Sequence, residues 1–147
     1  MFAGQYPCKL DEKGRFLVPS PIREQLEAQG EGGVVFLKGQ DLPLSAYSPS
    51  EWQKVLERAR ETCDEDQSRL FMHYLVAEAA SSDMDKAGRI LIPGRLRKTI
   101  PLEDDLEIVI VGMYHRLEIW NPSDWRRFVM KNAEKFEEIQ SKLLNLL

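Results

Sequence analysis

The sequence predicts an α+β protein in which two tandem copies of one small β-rich module share a core, with helices added around them. Three observations carry this. Residues 8–23, CKLDEKGRFLVPSPIR, and residues 82–97, SDMDKAGRILIPGRLR, align at one constant spacing: Asp11 with Asp85, Gly14 with Gly88, Arg15 with Arg89, Pro19 with Pro93, Arg23 with Arg97. The likeness then continues, one residue shorter in the second copy, through Gly39 and Gly112, Leu44 and Leu117, Tyr47 and Trp120, Pro49 and Pro122, Trp52 and Trp125; loops absorb such a change. Finally, 147 residues with 43% hydrophobic and 30% charged side chains make an ordinary globular mix, large enough for one core but too small for two comfortable ones. The boundaries that follow are a first module at 5–51, a helical connector at 52–78, a second module at 79–123 and a C-terminal helix at 124–147.

Each copy reads in the same order. Residues 6–10 and 80–84 are short strands. Asp-x-x-Gly follows, a turn signal: Asp bonds nearby backbone N–H groups from the first position, and Gly at the fourth takes the left-handed conformation that closes a hairpin with a bulge. Residues 16–18 and 90–92 are apolar and partly β-branched, hence return strands, stopped by Pro19 and Pro93, which cannot donate to a ladder. Residues 21–26 and 94–99 read as short helices, 34–37 and 106–111 as third strands, and 44–47 and 117–120 as fourth strands.

Longer helices come next. Ser48-Pro49-Ser50-Glu51 supplies a cap, a proline at the first helical position and an acid at the third, which is a capping box; Asn121-Pro122-Ser123-Asp124 repeats the arrangement. Trp52, Val55, Leu56 and Ala59 then recur at helical spacing, and another helix spans about 64–76 with Leu70, Phe71, Tyr74 and Leu75 on one face. Trp125, Phe128, Val129, Ala133, Phe136, Ile139 and Leu143 do the same in the last helix, and such stripes serve core or subunit packing.

Several function classes are excluded. The densest apolar run, 106–112, contains Glu107 and is far below the ~18 residues that cross a bilayer. The opening Met-Phe-Ala-Gly-Gln-Tyr-Pro-Cys has neither the positive region nor the apolar stretch of a signal peptide, which predicts a cytoplasmic protein. Cys8 and Cys63 lie far apart with no CxxC, so free thiols are expected and no zinc site. His73 and His115 have no HExxH or Cys/His partner, and GxSxG, P-loop and GxGxxG motifs are absent. Nothing names a catalytic group, a cofactor, a metal or a small-molecule substrate, and an enzyme stays only as the weak alternative, resting on a carboxylate pair assembled in space.

The repeated turns are the informative feature. Arg follows the turn glycine in both copies, as Lys13-Gly14-Arg15 and Ala87-Gly88-Arg89, which places it at two hairpin tips that project from the body and can reach a partner. Its planar fork binds guanine O6 and N7 or clamps a phosphate. The 20 Lys+Arg and 24 Asp+Glu leave the chain at −4 overall, yet Lys86, Arg89, Arg95, Arg97 and Lys98 face Asp85 alone across 84–98. Lys9, Lys13, Arg15 and Arg23 outnumber Asp11 and Glu12 across 8–23. Any nucleic-acid contact is therefore local. Asp and Arg four apart across a turn equally fit a salt bridge that braces the hairpin. The residues alone leave open a nucleic-acid binder and a protein-binding module, antitoxin-like or a scaffold, whose arginines grip acidic surfaces.

Taken together, these motifs resemble the MraZ family of bacterial proteins, built from tandem AbrB-like modules. The resemblance runs from Met1-Phe2 and Gly4 to Trp125. It rests on Asp11-x-x-Gly14-Arg15 with Pro19 and Arg23, on Asp85-x-x-Gly88-Arg89-Ile90-Leu91-Ile92-Pro93 with Leu96-Arg97, and on the stretch 109–112 followed by Glu118-Ile119-Trp120. It implies a mostly-β double-split barrel of two pseudo-symmetric modules with swapped hairpins, decorated with helices, and a ring-shaped homo-oligomer. It also implies a transcriptional regulator, usually a repressor, that binds short direct repeats of double-stranded DNA upstream of its own gene, at the head of the division and cell-wall gene cluster, and associates with the nucleoid. By position, the implied DNA contacts are Arg15 and Arg89, with Lys13 and Lys86 beside them and Arg23, Arg95 and Arg97 as further candidates.

Overall fold

The computed structural model describes all of residues 1–147. Eight strands form: β1 (Gln5–Lys9), β2 (Arg15–Leu17), β3 (Gly33–Lys38), β4 (Leu44–Tyr47), β5 (Ala80–Asp83), β6 (Arg89–Leu91), β7 (Glu107–Gly112) and β8 (Leu117–Trp120). Six helices accompany them: α1 (Ser20–Ala28), α2 (Pro49–Thr62), α3 (Glu65–Tyr74), α4 (Gly94–Arg97), α5 (Pro122–Lys131) and α6 (Ala133–Leu144). A single 3₁₀ turn, Val76–Glu78, leads into β5.

The strands lie in a six-stranded antiparallel sheet ordered β1-β7-β8-β4-β3-β5 and a two-stranded ribbon, β2-β6. The order is the same from either end once the copies are exchanged. β1 of the first repeat pairs with β7 of the second, Tyr6 opposite Ile110, and β5 of the second pairs with β3 of the first, Val35 opposite Ser81. The fourth strands meet at the centre, Ser45 opposite Glu118. Each repeat has thus given its first two strands to the other. β1 and β5 are edges and do not pair with one another, so the barrel is split and not closed.

The split begins at the turns. Asp11 and Arg15 share a backbone hydrogen bond (2.8 Å), as do Asp85 and Arg89 (2.8 Å). Beyond that point the two arms of each hairpin run to different partners. The apolar pattern drives the separation. Phe16 and Val18 on the return arm of the first hairpin, and Ile90 and Ile92 on that of the second, point into a core with Phe36, Leu44, Ile108, Ile110 and Ile119, so both repeats fill one interior.

Several elements differ from expectation for local reasons. β7 starts at Glu107 because Leu106 takes a left-handed conformation (φ 57°), which a strand does not tolerate. α4 ends at Arg97, two residues early, as Thr99 and Ile100 turn back to the carbonyls of Leu96 and Arg97 in three-residue steps ahead of Pro101. α1 starts at Ser20 and continues to Ala28, held by buried Ile22 and Leu26. The expected capping boxes form only by half: Ser48 accepts from the Glu51 N–H and Asn121 from the Asp124 N–H, but neither acid bonds back, Glu51 taking Lys54 instead, and the full box closes at Asp64 and Gln67.

None of α2, α3, α5 and α6 fully buries a residue. Their apolar stripes stay largely open: Leu70, Met72 and Tyr74 on α3, Phe128 and Met130 on α5, and Phe136 and Ile139 on α6 are all exposed. Trp120, Trp125 and Phe128 cluster with ring centroids 5.2–5.8 Å apart and tie α5 to β8. No helix is long and apolar enough to cross a membrane.

Candidate nucleic-acid interface

The two turns are built alike, atom for atom. Gly14 N–H donates to Asp11 O (3.0 Å) and Gly88 N–H to Asp85 O (3.0 Å), closing each turn. The Asp11 Oδ1 accepts from the backbone N–H groups of Lys13 (3.0 Å) and Arg15 (2.9 Å). Asp85 Oδ1 does the same for Ala87 and Arg89, both at 2.9 Å. The second oxygen of each carboxylate takes the arginine Nε, at 2.7 Å in the first turn and 2.9 Å in the second. One aspartate therefore shapes the turn and aims the guanidinium that follows it.

These contacts settle where the arginines point. Each is held through Nε only, and its two terminal nitrogens make no hydrogen bond within the chain. The side chains remain 27% exposed at Arg15 and 38% at Arg89. The fork that binds a carboxylate, phosphate or guanine is left free and pre-oriented. The brace and the presentation of the arginine are the same contact.

The same contact fixes the acid response. Backbone N–H donation from Arg15, then its side chain, lowers the Asp11 carboxyl below the ordinary carboxylate range; Arg89 does the same to Asp85. A depressed folded value means the carboxylate stabilises the turn above the ordinary range and loses that role only as pH falls through the lowered value. Carboxyl ¹³C shifts should titrate at Asp11 and Asp85 below those of a free aspartate, with both turns intact at neutral pH. Midpoints at or above the free value would remove the brace.

The arginines of the two turns come together, which sequence reasoning missed. β2 and β6 pair antiparallel with Arg15 opposite Leu91, Phe16 opposite Ile90 and Leu17 opposite Arg89. Phe16 and Ile90 point inward, so Arg15, Leu17, Arg89 and Leu91 share the outward face. Arg15 and Arg89 sit diagonally on that one ribbon, about 7–8 Å apart by ordinary strand geometry, and not on two distant tips. Val18 N–H donates to Gly88 O (2.9 Å) and Ile92 N–H to Gly14 O (3.0 Å), so each strand is tied at its end to the other repeat's turn glycine.

The remaining basic residues frame this ribbon. Lys13 and Lys86 are exposed in the turns. Arg97 reaches across from the second repeat and its Nη1 donates to Lys13 O (2.8 Å). Its guanidinium lies where a Cβ on Gly14 would fall, and that of Arg23 lies where a Cβ on Gly88 would fall. Both glycines have positive φ, 89° and 83°, which is what demands glycine here, since an arginine tip could shift aside. Arg23 further donates through Nε to Glu27 (2.9 Å). Arg95 stands apart, bonded to the Glu78 carboxylate (2.9 Å) and carbonyl (3.0 Å) of the 3₁₀ turn.

The two histidines sit against α3 and α2, and Cys8 lines a shallow cavity together with Leu17. His73 Nδ1 is 2.8 Å from Arg69 O, and His115 Nδ1 is 3.4 Å from Glu51. Both cysteines are free. Burial pushes the Cys8 thiol up to about 11, which keeps it protonated and weakly nucleophilic near neutrality.

The chain matches the family described as "MraZ protein, putative antitoxin-like" twice, over residues 1–73 and 75–146. Each match takes in four strands and the helical pair that follows. Relatives named "Transcriptional regulator MraZ" align along almost the whole chain. That of Pediococcus pentosaceus is 36% identical over 146 residues, 99% of this chain and 98% of the relative. That of Lachnoclostridium phytofermentans is 37% identical over 142 residues, 97% and 96%, and that of Moorella thermoacetica 32% over 146, 99% and 98%.

Proposed function

The chain belongs to the MraZ family, and from that premise we propose that it is a transcriptional regulator that binds double-stranded DNA through its β2–β6 ribbon. The observation that supports this best is the pair Arg15 and Arg89 on one outward face, each aimed by an aspartate at Nε with its fork unoccupied. A two-stranded ribbon is narrow enough for the major groove, where arginine takes guanine O6 and N7. Lys13 and Lys86 contact the flanking phosphates. Arg23 and Arg97 act mainly as posts behind the turn glycines, and Arg95 at the edge, tied to Glu78.

The finer assignment follows the family resemblance. The protein represses from short direct repeats upstream of its own gene, at the head of the division and cell-wall cluster, and works at the nucleoid in the cytoplasm. The open apolar faces of α3, α5 and α6 favour self-association into a ring. A ring presenting several ribbons at fixed spacing meets tandem repeats together, and avidity rises by ~10²–10⁴ over one ribbon. The net charge of −4 keeps the rest of the surface off DNA.

A nuclease footprint on the DNA just upstream of the start codon tests the assignment. Protection should appear as evenly spaced short blocks. Affinity should fall as salt rises, with a log–log slope of about −0.9 per phosphate neutralised. A flat salt response, or protection nowhere in that region, would overturn it. Capture of protein partners that survives nuclease treatment, with no footprint, would favour the protein-binding module instead.

A further inference from the structure

The ribbon carries two side chains that phosphate and guanine binding leave unexplained. Leu17 is 62% exposed and Leu91 43% exposed, although both lie in three-residue strands whose inward neighbours are fully committed to the core. They are equivalent positions of the two repeats. In the paired register Leu17 stands opposite Arg89 and Leu91 opposite Arg15, so each leucine abuts an arginine on the outward face. The Ser82 hydroxyl donates to Leu91 O (2.7 Å), which anchors β6 behind that face.

One lone surface leucine needs no explanation. Two at symmetric places, each beside an arginine with a free fork, form an alternating cation–apolar checker on a ribbon of groove width. Directly opposite side chains on one sheet face are about 4.5–5.5 Å apart at Cβ. Successive bases along a strand are about 3.4 Å apart, so side chains this close address neighbouring base pairs. In the major groove, the one apolar group that a base presents is the thymine methyl.

We propose that Leu17 and Leu91 are specificity-determining residues that contact thymine methyl groups beside the guanines taken by Arg89 and Arg15. This rests on the DNA-binding reading above and adds the base that the arginines do not read. The occupant is duplex DNA and not an apolar protein surface because the two leucines are interleaved with two unpaired guanidinium forks.

The test uses the full-length protein and duplexes it enriches from a randomised pool. Each thymine of the enriched core is replaced in turn by deoxyuridine, which lacks only the methyl. Affinity should fall about fourfold per methyl at positions adjacent to an enriched guanine, the value of one buried methyl-sized group. A Leu17→Ala, Leu91→Ala variant should bind thymine and uridine duplexes equally there, with unchanged elution on size exclusion. Wild-type indifference to uridine at every position, with guanines still required, would overturn this inference and leave the DNA-binding reading standing. A changed oligomer size in the variant would reassign the leucines to contacts between copies. Failure to enrich any duplex would remove both readings.

Discussion

Replacing Arg15 and Arg89 together by alanine should abolish binding to the enriched duplex and leave size-exclusion elution unchanged. Each lost bidentate contact to guanine costs about 1–3 kcal/mol of discrimination, so two on one ribbon remove roughly two to six kcal/mol. In an assembly with several ribbons the loss multiplies, because avidity depends on each engagement. The fold should tolerate the change. The aspartate keeps its backbone N–H partners through Oδ1, and only the Nε bond is lost. Single substitutions should weaken binding without abolishing it, since the ribbon keeps one fork. A double variant that binds within threefold of wild type in a gel shift would remove these arginines from the interface.

The second large effect is on stability. Phe36→Ala should destabilise the protein by about 3–5 kcal/mol, the usual cost of truncating a buried phenylalanine. Phe36 is fully buried on β3, opposite Ala46 of β4 on one side and Ala80 of β5 on the other. Neither alanine is large enough to fill the space left. Domains of this size hold only about 5–15 kcal/mol in total, so the urea midpoint should drop by a large fraction. Because the residue touches strands of both repeats, circular dichroism and tryptophan fluorescence should lose signal together. Two separated transitions would mean that the repeats have independent cores.

Much of this was legible in the residues. The Asp-x-x-Gly-Arg turns, the fourth strands and the helix caps follow from local chemistry, and each forms where the pattern places it. The pairing partners were not legible. Nothing local in Tyr6 or Pro7 says that β1 joins β7 and not its own β2, because strand exchange is decided by which apolar faces meet in the core. That is also why Arg15 and Arg89 read as separate tips when they share a ribbon. The anchoring of Arg97 on Lys13 O joins residues far apart in sequence and has no local signature. The kinship of α2–α3 with α5–α6 was legible only at its start, in the capping motifs and in Trp52 and Trp125, because exposed helix faces constrain sequence weakly beyond them.

The strand exchange sets an order of events at the ribosome. When the first repeat has left the exit tunnel, β3 has one flank open until β5 arrives, and β1 waits longer for β7. Translation runs at about 5–20 residues per second, so these apolar edges stay bare for seconds on every nascent chain. Neighbouring chains on one polysome offer the same missing strands at high local concentration. A chain released early, before β7 is made, would leave β1 and β4 without their partners, and a second such copy would lack the same two strands.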